Sequence, residues 1–192
     1  MGQPATPTRL TREDYLTWET AQAERHELIN GEPYAMAGAE DRHVTVSLNL
    51  AMALRQHLAG SPCRTYMADM KLEVAASQSF FYPDVLVTCS EADRASALVK
   101  REPVLVVEVL SPGTAAFDRG GMFAHYRQLA SLKEYVLVDL DSRRTDVYRP
   151  GADGLWVLHP FEPAQPLALA SVDLSITPEA LWAEVDEAPT LP

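Results

Sequence analysis

Two carboxylates stand where their neighbours argue against them. Asp84 follows Pro83 and opens the run Val85-Leu86-Val87, while Glu108 interrupts Val104-Leu105-Val106-Val107 before Val109-Leu110. Taking an ionised carboxylate out of water costs several kcal/mol unless it is paired, hydrogen-bonded or bound to a metal. One such residue reads most simply as an ion pair or a strand end reaching solvent. Two of them on neighbouring strand-like segments, 24 residues apart, point to a shared cation. Hard ions such as Mg²⁺ or Mn²⁺ take oxygen ligands, need only one or two protein carboxylates and leave the other positions to water and phosphate oxygens. The chain has no Cys or His spacing for a zinc site. Glu27, just ahead of Leu28-Ile29, is a third carboxylate able to complete the shell, though taken on its own it reads first as an ordinary hairpin charge.

The elements that must position these residues follow from pattern. Thr11 before Arg12-Glu13-Asp14 caps a first helix carrying Tyr15, Leu16 and Trp18. Asn30-Gly31 between Glu27-Leu28-Ile29 and Glu32 to Met36 predicts a hairpin. From Asp41 to Ala59, Val44, Leu48, Ala51, Leu54 and Leu58 recur at helical spacing, and Gly60 ends the segment. Cys63 to Val74, Phe80 to Cys89 and Val104 to Leu110 read as strands, the last two buried on both faces. A helix from about Thr114 to Leu129 and a strand at Glu134 to Asp139 complete a crossover unit, so the strands on either side of that helix are expected to be parallel. Arg144 to Tyr148 and Leu155 to His159 form a peripheral hairpin, and Thr177-Pro178-Glu179 opens a last helix through Val185. The fold class is α/β with α+β mixing.

With 192 residues and 47% hydrophobic content, one domain over 1-192 is expected, with its core at about 8-185 and frayed ends, Glu187 to Pro192 included. No basic and apolar leader opens the chain and no run of eighteen apolar residues occurs, so secretion and membrane spanning are not expected. Met1-Gly2 with Thr6 matches a loose myristoylation pattern interrupted by Pro4. Cys63 and Cys89 are too few for a disulfide framework and read as buried thiols in a reducing cytoplasm. A net charge of −11 excludes a generic phosphate-contact DNA binder. Lys100-Arg101, Arg119 with Arg127, and Arg143-Arg144 are the candidate basic clusters, each equally a solvated face.

The order Glu27-Leu28-Ile29-Asn30-Gly31, His43, Tyr82-Pro83-Asp84-Val85 and Val107-Glu108-Val109-Leu110-Ser111-Pro112, followed by Thr114, Asp118, Tyr126 and Glu134-Tyr135, resembles the Uma-type putative restriction endonuclease family of the PD-(D/E)xK nuclease superfamily. The resemblance covers roughly residues 8 to 185. It implies a restriction-endonuclease-like core with a mixed central sheet flanked by helices and peripheral β-hairpins. Asp84 and Glu108 would be metal ligands, with Glu27 contributing from the first hairpin. The implied reaction is Mg²⁺- or Mn²⁺-dependent hydrolysis of DNA phosphodiester bonds.

The superfamily places a lysine near the second acidic residue to orient or deprotonate water. Here Leu110 fills the usual position, and the alternative place on the next helix, after Asp118, holds Met122. Arg119, His125 and Lys71 are the candidate substitutes, and Gly120-Gly121 weakens the helix that carries the first two. His43 would contact phosphate or metal, or else be an ordinary helix histidine; Tyr126 reads as core. Asp118 either orients a basic group or caps the helix. Alongside the endonuclease stands a degenerate nuclease fold serving as a nucleic-acid-binding or regulatory module. A two-carboxylate glycosidase is less attractive, because the chain lacks an evident aromatic sugar cleft. Dimerisation, for cutting both strands, is expected by analogy alone.

Overall fold

The computed structural model describes residues 9–186, so the Met1-Gly2 pattern and the Glu187 to Pro192 end lie outside the described residues. Helix α1 (Arg12–Glu19) begins where the Thr11 side chain accepts from the Asp14 N–H, as its sequence predicts. Strands β1 (His26–Ile29) and β2 (Glu32–Ala35) form the expected hairpin. Asn30 and Gly31 both take positive φ, 52° and 86°, which a two-residue turn compatible with strand twist requires. Helix α2 (Asp41–His57) follows, with Val46, Leu50 and Leu54 fully buried along one face.

The next two predicted strands are each divided. Cys63 to Val74 becomes β3 (Arg64–Met67) and β4 (Lys71–Val74), because Ala68 adopts φ 50° and turns the chain out of one sheet into another. Phe80 to Cys89 becomes β5 (Ser79–Phe81) and β6 (Val85–Thr88), broken at Pro83, which has no N–H for a ladder. Helix α3 (Glu91–Ala95) and the short β7 (Val99–Lys100) lead to β8 (Pro103–Leu110), with Pro103 at its start as anticipated.

The crossover after β8 is not the continuous helix predicted. It comprises α4 (Ala115–Phe117), a wide π-helical turn over Asp118–Met122, and α5 (Phe123–Tyr126). It still delivers β9 (Glu134–Asp139) parallel to β8, with Glu108 opposite Leu137. Strands β10 (Thr145–Pro150) and β11 (Trp156–Phe161) form the predicted hairpin. A second one, β12 (Leu167–Leu169) with β13 (Leu174–Ile176), escaped the sequence pattern because each strand is three residues long. The last helix, α6 (Pro178–Leu181), is capped by Thr177 but stops well before Val185.

The described strands make a six-stranded sheet ordered β11-β10-β9-β8-β6-β3, a five-stranded sheet ordered β2-β1-β5-β4-β7, and the β12-β13 pair. Val85, Val87, Leu105, Val107 and Val136 pack on α2, α6 and the small pair, while Leu86, Val106, Leu110, Tyr135 and Leu137 meet the crossover. Leu72, Val74 and Phe81 of the five-stranded sheet join that second cluster, so the two sheets share a core. Burial on both faces explains the unbroken apolar runs.

Cys63 and Cys89 form a disulfide, which corrects the expectation of two buried thiols. Arg64 pairs with Thr88, and this register brings the flanking cysteines opposite each other. Among the described residues no helix is long and apolar enough to cross a membrane.

Candidate active site

Strands β6 and β8 run antiparallel with Val85 opposite Val107, so Asp84 and Glu108 meet just beyond the last paired residues. They exchange main-chain contacts. The Val109 N–H donates to Asp84 Oδ2 at 2.7 Å, and the Asp84 N–H donates to Glu108 Oε2 at 3.4 Å. The other oxygens are held by side chains. The Tyr126 hydroxyl donates to Glu108 Oε1 at 2.7 Å, and His43 Nε2, on the first turn of α2, lies 2.7 Å from Asp84 Oδ1. Glu27 enters from β1, where its Oε1 accepts the Tyr82 N–H at 3.4 Å.

Electrostatics bind these groups into one cluster. Burial raises the Glu108 carboxyl well above its usual range, and Asp84 and Asp118 push it further, against the hydrogen bond from Tyr126. Burial, with Asp118 and Asp84 adding repulsion, lifts Glu27 to about 7. Asp118 rises to about 6, first through burial and then through Asp84. Burial alone would lower His43, but the hydrogen bond and charge of Asp84 outweigh it and hold the imidazole above its usual value. Asp118 was read from sequence as a cap or an orienting group; it is buried and its backbone carbonyl accepts the Tyr135 hydroxyl.

The basic residues expected here go elsewhere. Arg119 is paired with Asp139 and Asp146, each at 3.1 Å. His125 is buried away from the carboxylates, with Nδ1 2.8 Å from Ser77 Oγ and its ring against Phe81. Lys71 lies over the Tyr82 ring at 5.2 Å, beside Glu19 and Asp69, on the face of β4 opposite Leu72. Lys100 donates to the carbonyls of Asp93 and Ser96. Met122 is 5% exposed and packs in the apolar cluster with Leu110, Tyr126 and Tyr135. Tyr126 is the contributor that sequence undervalued: it is core, as read, yet its hydroxyl holds Glu108.

A cleft of about 140 Å³ is lined by Leu110, Ser111 and Pro112 at the end of β8, Asp139 and Leu140 at the end of β9, and Arg42, next in sequence to His43. A larger one of about 500 Å³ lies by α1, between Thr11, Glu73 and Gln78, and neither cleft is lined by Glu27, Asp84, Glu108 or Asp118. Among the described residues no group of three or more His, Cys, Asp or Glu side chains is arranged to enclose an ion. The side-by-side pair Asp84 and Glu108 nonetheless fits a hard cation that keeps much of its water, because its donors are oxygens and repelling carboxylates surround it.

The architecture is that of a restriction-endonuclease-like α+β fold with mixed sheets flanked by helices. It matches the crystal structure of a putative nuclease belonging to DUF820 from Anabaena variabilis with a TM-score of 0.74 at 16% identity, covering 91% of this chain and 98% of that one. The sequence matches the Uma2 family, described as putative restriction endonuclease, over residues 12–179, and the chain belongs to that family. Two relatives come from Synechocystis sp. (strain ATCC 27184 / PCC 6803 / Kazusa). The uncharacterized protein slr1290 is 38% identical over 180 residues, 93% of this chain and 95% of the relative. The uncharacterized protein sll1609 is 35% identical over 156 residues, 80% and 88% respectively.

Proposed function

We propose that this chain is a Mg²⁺- or Mn²⁺-dependent endonuclease that hydrolyses DNA phosphodiester bonds, with Asp84 and Glu108 holding the ion and Glu27 beside them. The observation that carries this reading is the side-by-side placement of Asp84 and Glu108 on two adjacent strands, where the Asp84 N–H donates to Glu108 and the Val109 N–H to Asp84. A bound cation would supply Lewis-acid polarisation of the scissile phosphate and activation of water. The chain supplies orientation. The Val109 N–H fixes one Asp84 oxygen and the Tyr126 hydroxyl fixes one Glu108 oxygen, so neither carboxylate must be ordered when a ligand arrives. Met122 offers neither charge nor proton, and Arg119 is committed to Asp139 and Asp146. Purified protein is expected to nick supercoiled plasmid with Mn²⁺ or Mg²⁺, to stop in EDTA, and to lose at least about a hundredfold in rate as Asp84→Ala. Absence of metal-dependent nicking sensitive to that substitution rejects the proposal, and RNA run in parallel decides the nucleic acid.

Met122, buried in an apolar cluster at the helix position where the family resemblance leads one to expect a lysine, favours a second reading: a degenerate nuclease acting as a nucleic-acid-binding or regulatory module. Under it Met122→Lys raises cleavage from background by about a hundredfold or more, the usual worth of a positioned acid or base. Robust turnover by the unaltered chain eliminates it.

A further inference from the structure

We infer that the outer face of α2 is a self-association surface, through which two copies of this chain pair with their α2 helices antiparallel. Helix α2 carries more apolar residues than its core uses. Val46, Leu50 and Leu54 are buried, yet Val44, Leu48 and Met52 stand 50%, 45% and 50% exposed. With Asp41 before them and Arg55 after, they recur at steps of three and four, which keeps all five residues on one face. Single exposed apolar side chains are ordinary, but a continuous stripe marks a surface that something covers. Among the described residues nothing does: α6 meets the helix on another side, where Asn49 donates to the carbonyls of Leu181 and Ala183 at 3.1 and 2.8 Å.

The charges identify the occupant. Asp41 lies seven positions before Leu48 and Arg55 seven after it, so Leu48 is the midpoint of the stripe. A two-fold axis through Leu48 sets Asp41 of each copy against Arg55 of the other and Val44 against Met52, while Leu48 meets itself. Parallel pairing would oppose Asp41 to Asp41 and Arg55 to Arg55. Both charges also answer the helix dipole, but that leaves the stripe between them unexplained. Each copy carries −11, yet salt screens that repulsion beyond about 8 Å, and the opposed charges act at contact. A specific interface buries about 1,200–2,000 Å² in total, more than one helix stripe provides. The surface extends onto β3, the outermost strand of its sheet, on which α2 packs. Tyr66 turns to the cluster on the far side of that sheet, so Met67, 36% exposed, turns to the side of α2. His43 points instead to Asp84, and the inference stands independently of the metal-site reading.

Sedimentation velocity of the full chain over a dilution series is expected to show a dimer that dissociates on dilution. Leu48→Glu, which sets two like charges face to face on the axis, should weaken it about tenfold or more. Asp41→Arg and Arg55→Asp should each weaken it about threefold to tenfold. The two together should restore it, because the opposed charges are then exchanged and not lost. All three positions are exposed, and thermal melts check that each variant folds. A monomer at every concentration leaves the stripe to some other partner and overturns the inference. A dimer indifferent to Leu48→Glu forms through another surface and overturns it equally. A dimer broken by Leu48→Glu but not rescued by the double exchange overturns the antiparallel pairing.

Discussion

Every oxygen of Asp84 and Glu108 has a partner within the chain: His43 and the Val109 N–H for one, Tyr126 and the Asp84 N–H for the other. The pair was legible in the sequence because a charge inside an apolar strand contradicts its surroundings. Tyr126 was not, since a tyrosine on a helix carries no such contradiction and its hydroxyl acquires a purpose only once Glu108 is opposite. Nor was the side taken by Lys71, which depends on strand parity after the break at Ala68. His125 offers a prediction at this scale. Burial lowers its pKa, so the folded chain keeps the ring neutral where the unfolded chain, titrating near 6.5, begins to bind a proton. Stability from this residue is therefore complete above about pH 6.5 and falls as pH drops toward the lowered folded value. Glu27 and Asp118, with raised values, act in the opposite direction, so comparison with a variant is needed. Between about pH 7 and pH 5 the melting temperature of His125→Gln should fall less, or rise more, than that of the parent. Identical pH profiles would show that the buried ring contributes nothing.

Among the elements, the β1-β2 and β10-β11 hairpins, the Thr11 and Thr177 caps and the parallel β8 and β9 pair were readable, because turn chemistry and periodicity are local. The breaks at Ala68 and Pro83 were not, because apolar content is the same on both sides while the sheet changes. The π-helical turn was signalled only by Gly120-Gly121. These two glycines are not equivalent. A Cβ on Gly121 would meet the Phe117 ring at 2.4 Å, whereas one on Gly120 would meet nothing within 4 Å. Gly120→Ala should therefore stabilise by up to about 1 kcal/mol through helix propensity. Gly121→Ala should cost about 1–3 kcal/mol as Phe117 is displaced. Chemical denaturation measures both, and equal effects would argue against the wide turn. Because the turn lies between Asp118 and Tyr126, Gly121→Ala should also disturb the donor to Glu108.

Across the whole molecule, the formal charge of −11 leaves few cations for phosphates, and Arg42 and Arg119 are already paired with acids. The Cys63–Cys89 bridge closes a loop spanning 26 positions that contains β3 to β6 and Asp84. Loop-closure entropy assigns such a bridge about 2–4 kcal/mol. Reduction, or Cys63→Ser with Cys89→Ser, should lower the melting temperature by roughly 5–12 °C for a chain of this size. An unchanged melting curve would mean that the bridge does not constrain the unfolded chain. The placement of the carboxylates has a mechanical meaning as well. Glu27 belongs to the five-stranded sheet, Glu108 to the six-stranded sheet, and Asp84 to the corner where the chain passes from one to the other. Any rocking of one sheet against the other changes the span between Glu27 and Glu108 while leaving Asp84 near the pivot, so whatever grips all three would act as a brace between the two sheets.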